Sequence, residues 1–147
     1  MVLPEIKLRI VVEATPPDVM FGLQLGSGSK YETIQKQVVG SKTDIFFLFT
    51  IKIKGDPEKD REPDFSGQYV QGIAGARFIY LDIGTYAGQS DSIWSRRLKV
   101  PLSGIAWKMI DQINSNHTLE ARVPGIGKDG GPNCATVKPF GGWHVAK

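Results

Sequence analysis

The chain has little cysteine, little histidine and no long hydrophobic run, and each of these shortages argues against particular classes of protein. Cys134 is the single cysteine among 147 residues, which excludes an intramolecular disulfide and favours a reducing compartment. The longest apolar run, IFFLF at 45–49, is far too short to cross a membrane. The two histidines, His117 and His144, are not in a spacing typical of zinc ligands, so we expect no metal and no cofactor.

The charge pattern and the first residues of the sequence limit the binding partners and the cellular location that we expect. The stretch MVLPEIKLRIVVEATPP has no charged segment followed by an unbroken apolar one, so we expect no secretory signal, no membrane partner and a cytoplasmic location. The net charge of +3 comes from 18 basic and 15 acidic residues that are mixed along the chain. Nucleic-acid-binding domains usually concentrate their basic residues on one stripe, so we expect no nucleic-acid partner.

Alternation of apolar and polar residues predicts a chain made mostly of strands. The alternating segments are 6–12, 21–25, 46–54, 78–83, 97–102 and 119–123, with a short run from 135. The segment at 46–54 begins with apolar residues on both faces and ends with them on one face, which predicts a central strand that is covered on both sides at its start and half-exposed at its end. The glycine-rich GSGSK at 26–30 predicts a hairpin turn, and the charged run at 54–64 predicts a solvated loop.

One helix is predicted near 104–114, with Ser103 as a candidate N-cap, because Ile105, Met109 and Ile113 recur there at the helical period. A second, short helix at 31–39 is a further hypothesis. Strands that follow one another without intervening helices predict a mainly β, β-rich α+β fold. We expect an antiparallel β-sandwich or open barrel packed by the one helix, in a single domain over 1–147.

The most unusual stretch is RFIYLDIGTYAGQSDSIWSRRLKVPL, at 77–102, which combines a glycine-rich polar segment with two adjacent arginines. The planar fork of an arginine can hold a carboxylate or a phosphate. Neighbouring residues of a strand point to opposite faces. Arg96 shares its parity with Leu98, so we expect Arg96 to be buried and paired with Asp82 or Asp91, and Arg97 to be exposed.

These features favour a binding module for a small polar or anionic ligand. We expect its pocket to be rimmed by a loop at 84–97 and a turn at 129–133. The candidate ligand-binding residues are Tyr69, Gln71, Arg77, Tyr86, Gln89, Asp91, Trp94 and Arg97. Two alternatives stay open. One is a small hydrolase-like enzyme that uses Cys134 or a carboxylate, and the other is a structural or protein-interaction domain without a pocket.

Three segments together resemble a bacterial family catalogued as a domain of unknown function. They are DFSGQYVQGIAGARFIYLDIGTYAGQ at 64–89, WSRRLKVPL at 94–102 and PGIGKDGGPNCATVKP at 124–139. The resemblance extends over roughly residues 5–140. It implies a small, single-domain, cytoplasmic protein, and it implies no catalytic residues.

Overall fold

The computed structural model describes residues 5–13, 19–27, 30–39, 43–66, 74–86, 92–110, 118–123, 136–137, 139 and 141–146. Within these residues the chain forms ten strands and one helix. In chain order the elements are β1 (Glu5–Val12), β2 (Val19–Ser27), β3 (Lys30–Val39), β4 (Ile45–Lys54), β5 (Asp64–Ser66), β6 (Ala74–Ala76), β7 (Phe78–Tyr86), β8 (Ser92–Pro101), α1 (Trp107–Ile110), β9 (Thr118–Val123) and β10 (His144–Ala146).

The strands form two sheets whose inner faces share one hydrophobic core. The larger sheet has the strand order β10-β9-β1-β4-β5-β6, and the smaller sheet has the order β3-β2-β7-β8. Buried side chains from both sheets belong to the same core cluster. The described strands do not close into a barrel. The prediction of a mainly β, β-rich α+β fold is therefore confirmed, and the described residues contain one short helix.

One strand pairing departs from the expected antiparallel pattern. β1 pairs with β4 antiparallel and with β9 parallel, so it has a strand on each side. A parallel neighbour needs a long connection that returns the chain to the same end of the sheet. The whole chain between Val12 and Thr118 supplies this connection. The parallel pairing cannot be recognised from the local sequence pattern of either strand.

The core is built from alternating strand residues, as the sequence predicts, because successive side chains of a strand point to opposite faces. In β1, Ile6 and Leu8 are buried while Glu5 and Lys7 are exposed. Burying a side chain of this size contributes about 1.5–3 kcal/mol. The core positions of the smaller sheet are Phe21, Leu23, Leu25, Ile79, Leu81, Ile83, Leu98 and Val100.

β4 is flanked by strands, as predicted, but it is not covered on both faces. Phe47, Ile51 and Ile53 face the core, whereas Phe46 and Leu48 are 63% and 52% exposed. The prediction of two covered faces is wrong because no described element packs over this outer face of the larger sheet. A run of apolar residues looks the same in the sequence whether its second face is covered or exposed.

The segment at 31–39 is a strand, and the alternative of a short helix there is wrong. β2 and β3 form an antiparallel hairpin in which Ser27 is paired with Lys30, so the predicted turn at GSGSK connects two paired strands. The ladder with β2 binds one side of the backbone of β3, which is at the edge of its sheet, and such a tertiary ladder overrides a weak local helical preference.

α1 lies inside the predicted helical segment but begins later than expected. It starts at Trp107, and Ile105 just before it is fully buried, whereas Met109 and Ile110 pack against the core while partly buried. Ser103 is exposed and lies four residues before the helix, so it is not the N-cap. Ile113 and the rest of the predicted helix lie outside the described residues. No described helix is long and apolar enough to span a membrane.

The two adjacent phenylalanines of β4 test the orientation of this strand. Phe47→Ala is expected to lower the free energy of unfolding by about 3–5 kcal/mol, because Phe47 is fully buried. Phe46→Ala, which removes the same atoms from the exposed face, is expected to change it by about 0.5 kcal/mol or less. Urea denaturation of both variants is the measurement. Equal losses at the two positions would contradict the orientation described here.

Candidate ligand-binding site

The structure describes two of the predicted ligand-binding residues with their side chains, Arg77 and Arg97. Tyr86 and Trp94 belong to β7 and β8, and only their backbone is described. The other four predicted residues, Tyr69, Gln71, Gln89 and Asp91, lie outside the described residues. Cys134 and the turn at 129–133 also lie outside them. The assignment of ligand binding to all of these residues stays a prediction.

The predicted loop at 84–97 is mostly a β-hairpin. β7 continues to Tyr86 and β8 begins at Ser92, and the two strands pair up to these residues with one register shift after Ile83. The prediction of an extended polar loop is therefore wrong for 84–86 and 92–97. Small polar residues and glycines stay in a strand when a neighbouring strand binds their backbone.

Arg97 is fixed to the outer face of the smaller sheet by Asp82. Its Nε donates to Oδ1 of Asp82 at 2.7 Å and its second guanidinium nitrogen donates to Oδ2 at 3.2 Å. The same guanidinium donates to Gln24 at 3.4 Å and lies 5.2 Å from the ring centre of Tyr80. The two-pronged bond, the amide and the ring hold the arginine in one orientation.

This arrangement corrects the predicted role of Arg97, whereas the side chain of Arg96 is not among those that the structure describes. We predicted that Asp82 or Asp91 pairs with Arg96 and that Arg97 is in solvent, whereas Asp82 pairs with Arg97. Asp82 lies directly opposite Arg97 in the β7–β8 register, and both residues alternate with buried leucines, Leu81 and Leu98. The same alternation puts both charges on the outer face, where they meet.

A second group of charged side chains lies on the outer face of the larger sheet around Glu120 of β9. Glu120 is buried, although it is on an outer face, because its neighbours cover it. Arg9 donates to it at 2.8 Å, His144 lies 3.0 Å from it, and Arg122 lies 3.5 Å from it. Arg122 also pairs with Glu13 at 2.7 Å. The group joins β1, β9 and β10 through their side chains.

The surroundings of Glu120 shift its pKa in two opposing ways. Burial alone raises the pKa, because it disfavours the charged carboxylate. The hydrogen bond with His144 and the positive charges of Arg9 and Arg122 outweigh burial, so the pKa of Glu120 lies below its usual value of 4.5. The carboxylate is thus charged in the folded protein, and its role is to bind these three side chains.

A cavity that combines unpaired charge with an apolar floor lies where β5, β7 and β8 come together. It measures about 180 Å³, and we call it the Arg77 pocket. Pro63, Phe65 and Leu102 are buried and form its floor. Its exposed lining residues are Glu62, Asp64, Arg77 and Ser103, and Phe78 and Pro101 are half-buried.

Several backbone contacts hold the walls of the Arg77 pocket in place. The N–H of Leu102 donates to the carbonyl of Arg77 at 2.9 Å, which joins the start of β7 to the end of β8. The indole N–H of Trp143 donates to the carbonyl of Pro101 at 2.9 Å. The pocket therefore rests on the ends of strands and not on a long loop.

Glu62 and Asp64, at the end of the charged run at 54–64, form the remaining wall. Between β4 and β5 this run is a mostly exposed loop, as predicted, but it is also attached to the segment before α1. The N–H of Trp107 donates to the carbonyl of Arg61 at 3.1 Å, and the N–H of Gly104 donates to Oε1 of Glu62 at 3.1 Å. Gly55 has a positive φ of 135°, and a Cβ there would lie 3.3 Å from the Trp107 ring, so glycine allows the loop to approach.

Arg77 differs in its pairing from the arginines that lie on the outer faces of the two sheets. Its side chain is exposed at the pocket, and no described residue forms an ion pair with it. Arg9, Arg97 and Arg122 are each bound to a carboxylate. Its guanidinium is therefore available to a ligand.

The sequence reasoning found Arg77 but missed its neighbours in the pocket. Glu62 and Asp64 belong to a charged run that is indistinguishable from an ordinary solvated loop, so no signal in the sequence singled them out. Arg9 and Glu120 could have been paired, because both alternate with core residues and thus lie on an outer face. No group of His, Cys, Asp and Glu in the described ranges is arranged to hold a metal ion.

The Asp82–Arg97 pair is expected to stabilise the hairpin of β7 and β8. In a double-mutant cycle of Asp82→Ala and Arg97→Ala, we expect a coupling energy of about 1–2 kcal/mol, since the pair is partly buried and two-pronged. Exposed ion pairs give about 0.2–1 kcal/mol. Urea denaturation of the four proteins measures it, and a coupling close to zero would show that the pair does not hold the fold.

Glu120 is expected to make folding stability depend on pH in the acid range. Its pKa is lowered by folding, so its contribution is complete above pH 4.5 and is lost as the pH falls through the folded-state pKa. The difference in unfolding free energy between the natural protein and Glu120→Gln should therefore shrink as the pH falls below about 5. In a His144→Gln background this decrease should be smaller, because the folded-state pKa of Glu120 then lies closer to its usual value. A difference that stays constant with pH would contradict this role.

Comparison with known proteins identifies the chain at the level of a family only. No curated protein and no solved structure matches it. A family model described as a family of unknown function, DUF5990, matches residues 6–146. This match extends over nearly the whole chain and confirms the resemblance to a family of unknown function. The chain belongs to the DUF5990 family.

Proposed function

We propose that the domain is a binding module for a small polar ligand, and that Arg77 holds an anionic group of this ligand in the Arg77 pocket. The observation that carries the proposal is the exposed, unpaired guanidinium at a cavity of the described structure. An arginine that only supported the fold would be expected to resemble Arg9 and Arg97, whose guanidinium groups are bound to carboxylates.

The chemistry of the pocket fits a ligand that is polar at one end and apolar elsewhere. The planar guanidinium offers parallel N–H donors that match a carboxylate or a phosphate. The buried surfaces of Phe65 and Leu102 offer apolar contact below it. Pockets that bind small molecules usually combine such an apolar lining with a few polar groups that orient the ligand.

The size of the pocket limits the ligand. The cavity of about 180 Å³ is slightly larger than engineered cavities of about 150 Å³ that bind benzene. A ligand, or the bound part of a larger one, therefore has roughly six to ten non-hydrogen atoms in the pocket. This range excludes nucleotides and oligosaccharides as wholly enclosed ligands.

Binding can be tested with three small anionic probes: propionate, inorganic phosphate and β-alanine. At least one of them is expected to shift the amide resonances of Phe78, Leu102 and Ser103 in an NMR titration. It should also raise the melting temperature by mass action. Arg77→Gln should weaken this binding by roughly 10-fold or more, because a charge-assisted hydrogen bond is worth about 1.5–3 kcal/mol.

Two further variants make the result specific. Arg77→Lys keeps the charge but loses the planar fork, so it should bind less tightly than the natural protein and more tightly than Arg77→Gln. Arg61→Gln removes an exposed arginine that is not part of the pocket lining, and it should bind as the natural protein does. If no probe shifts the pocket resonances, or if Arg77→Gln binds equally well, the proposal is wrong.

A further inference from the structure

We infer that the ligand of the Arg77 pocket is a small zwitterion, with an anionic group that binds Arg77 and an ammonium group that binds Glu62. This inference rests on the proposed function and adds the second charged group of the ligand. It is based on the observation that oppositely charged side chains line the pocket and do not form an ion pair with each other.

Arg77 and Glu62 are on the same small cavity, yet they do not form an ion pair. Flexible, exposed side chains of opposite charge pair readily when they are within reach, although each such pair contributes little. Their charged groups therefore lie beyond ion-pair distance of each other, although both side chains line the same cavity. A molecule that carries both charges and lies between the two groups would satisfy both at once.

Glu62 is oriented by its surroundings before any ligand binds. Its Oε1 accepts the N–H of Gly104 at 3.1 Å, and no described group binds its second oxygen. Gly104 has a φ of 98°, a conformation that favours glycine, so this residue type suits the backbone that presents the N–H. The hydrogen bond holds the carboxylate on the rim, with one oxygen available to an ammonium group.

The charge balance of the pocket also favours a zwitterion over a simple anion. The charged lining residues are Arg77, Glu62 and Asp64, so the pocket has one more negative than positive charge. A simple anion at Arg77 therefore meets repulsion from two carboxylates nearby. A cationic group on the same ligand would replace part of this repulsion by attraction, which makes the pocket selective between otherwise similar molecules.

The test compares three probes of similar size at constant ionic strength: propionate, propylammonium and β-alanine. They carry an anionic group, a cationic group and both groups, respectively. Dissociation constants from NMR titration are expected to be at least about 10-fold lower for β-alanine or its next longer homologue, 4-aminobutyrate, than for propionate. Including the longer homologue allows for the separation of the two protein groups.

Glu62→Gln is the decisive variant, because the amide keeps the shape and an oxygen that can accept from Gly104. It should bind the zwitterion no more tightly than propionate, while its binding of propionate should stay the same or improve. Glu58→Gln, in the same exposed loop but outside the pocket lining, is the matched control and should bind as the natural protein does.

The outcomes separate this inference from the proposed function. Equal affinity for propionate and the zwitterions, with no effect of Glu62→Gln, would overturn the inference and leave anion binding at Arg77 intact. Failure of all of the probes, phosphate included, to bind at Arg77 would overturn the proposed function together with the inference. Tighter binding of propylammonium than of the zwitterions would also overturn the inference, since Arg77 would then play no part.

Discussion

Because the two sheets bury a single layer of side chains between them, a charged residue of a strand can lie only on the outer face of its sheet or at the end of the strand. In β1, β2, β7 and β8 the members of the shared core cluster are every second residue, so the charged residues between them point away from the core. On the outer faces, Arg97 meets Asp82 and Arg9 meets Glu120 from neighbouring strands. Pairing in register thus decides which charges are bound within the protein.

The same constraint explains why the candidate site lies at a junction of strand ends. Arg77 lies between β6 and β7, outside both ladders, so no neighbouring strand places a carboxylate directly opposite it. Around it, β5, the end of β8 and the loop that carries Glu62 enclose a cavity. The backbone contacts of Leu102, Gly104 and Trp107 hold these pieces together, so the pocket is formed before a ligand arrives. Such preorganisation lowers the entropic cost of binding.

The sequence was informative wherever one residue and its immediate neighbours decide the structure. Alternation located the core of Leu8, Phe47 and Leu81, and the pattern near 104–114 located the helix. Alternation could not show that Phe46 has no cover or that β9 runs parallel to β1, because both depend on distant parts of the chain. The sequence reasoning pairs Asp82 with Arg96 on the buried parity, whereas Asp82 lies opposite Arg97 on the outer face. Glu62 became visible only when the fold brought it beside Arg77.

We propose that paired arginines stabilise the fold, whereas the guanidinium of Arg77 is left for a ligand. Solvent exchange of the arginine Nε–H groups, measured by NMR on the unliganded protein, tests it most directly. The Nε–H groups of Arg97 and Arg9 donate to carboxylates at 2.7 and 2.8 Å, so they should exchange slowly. The Nε–H of Arg77 should exchange as fast as that of the exposed Arg61. Slow exchange at Arg77, equal to that at Arg97, would show that it is bound within the fold and would contradict the account.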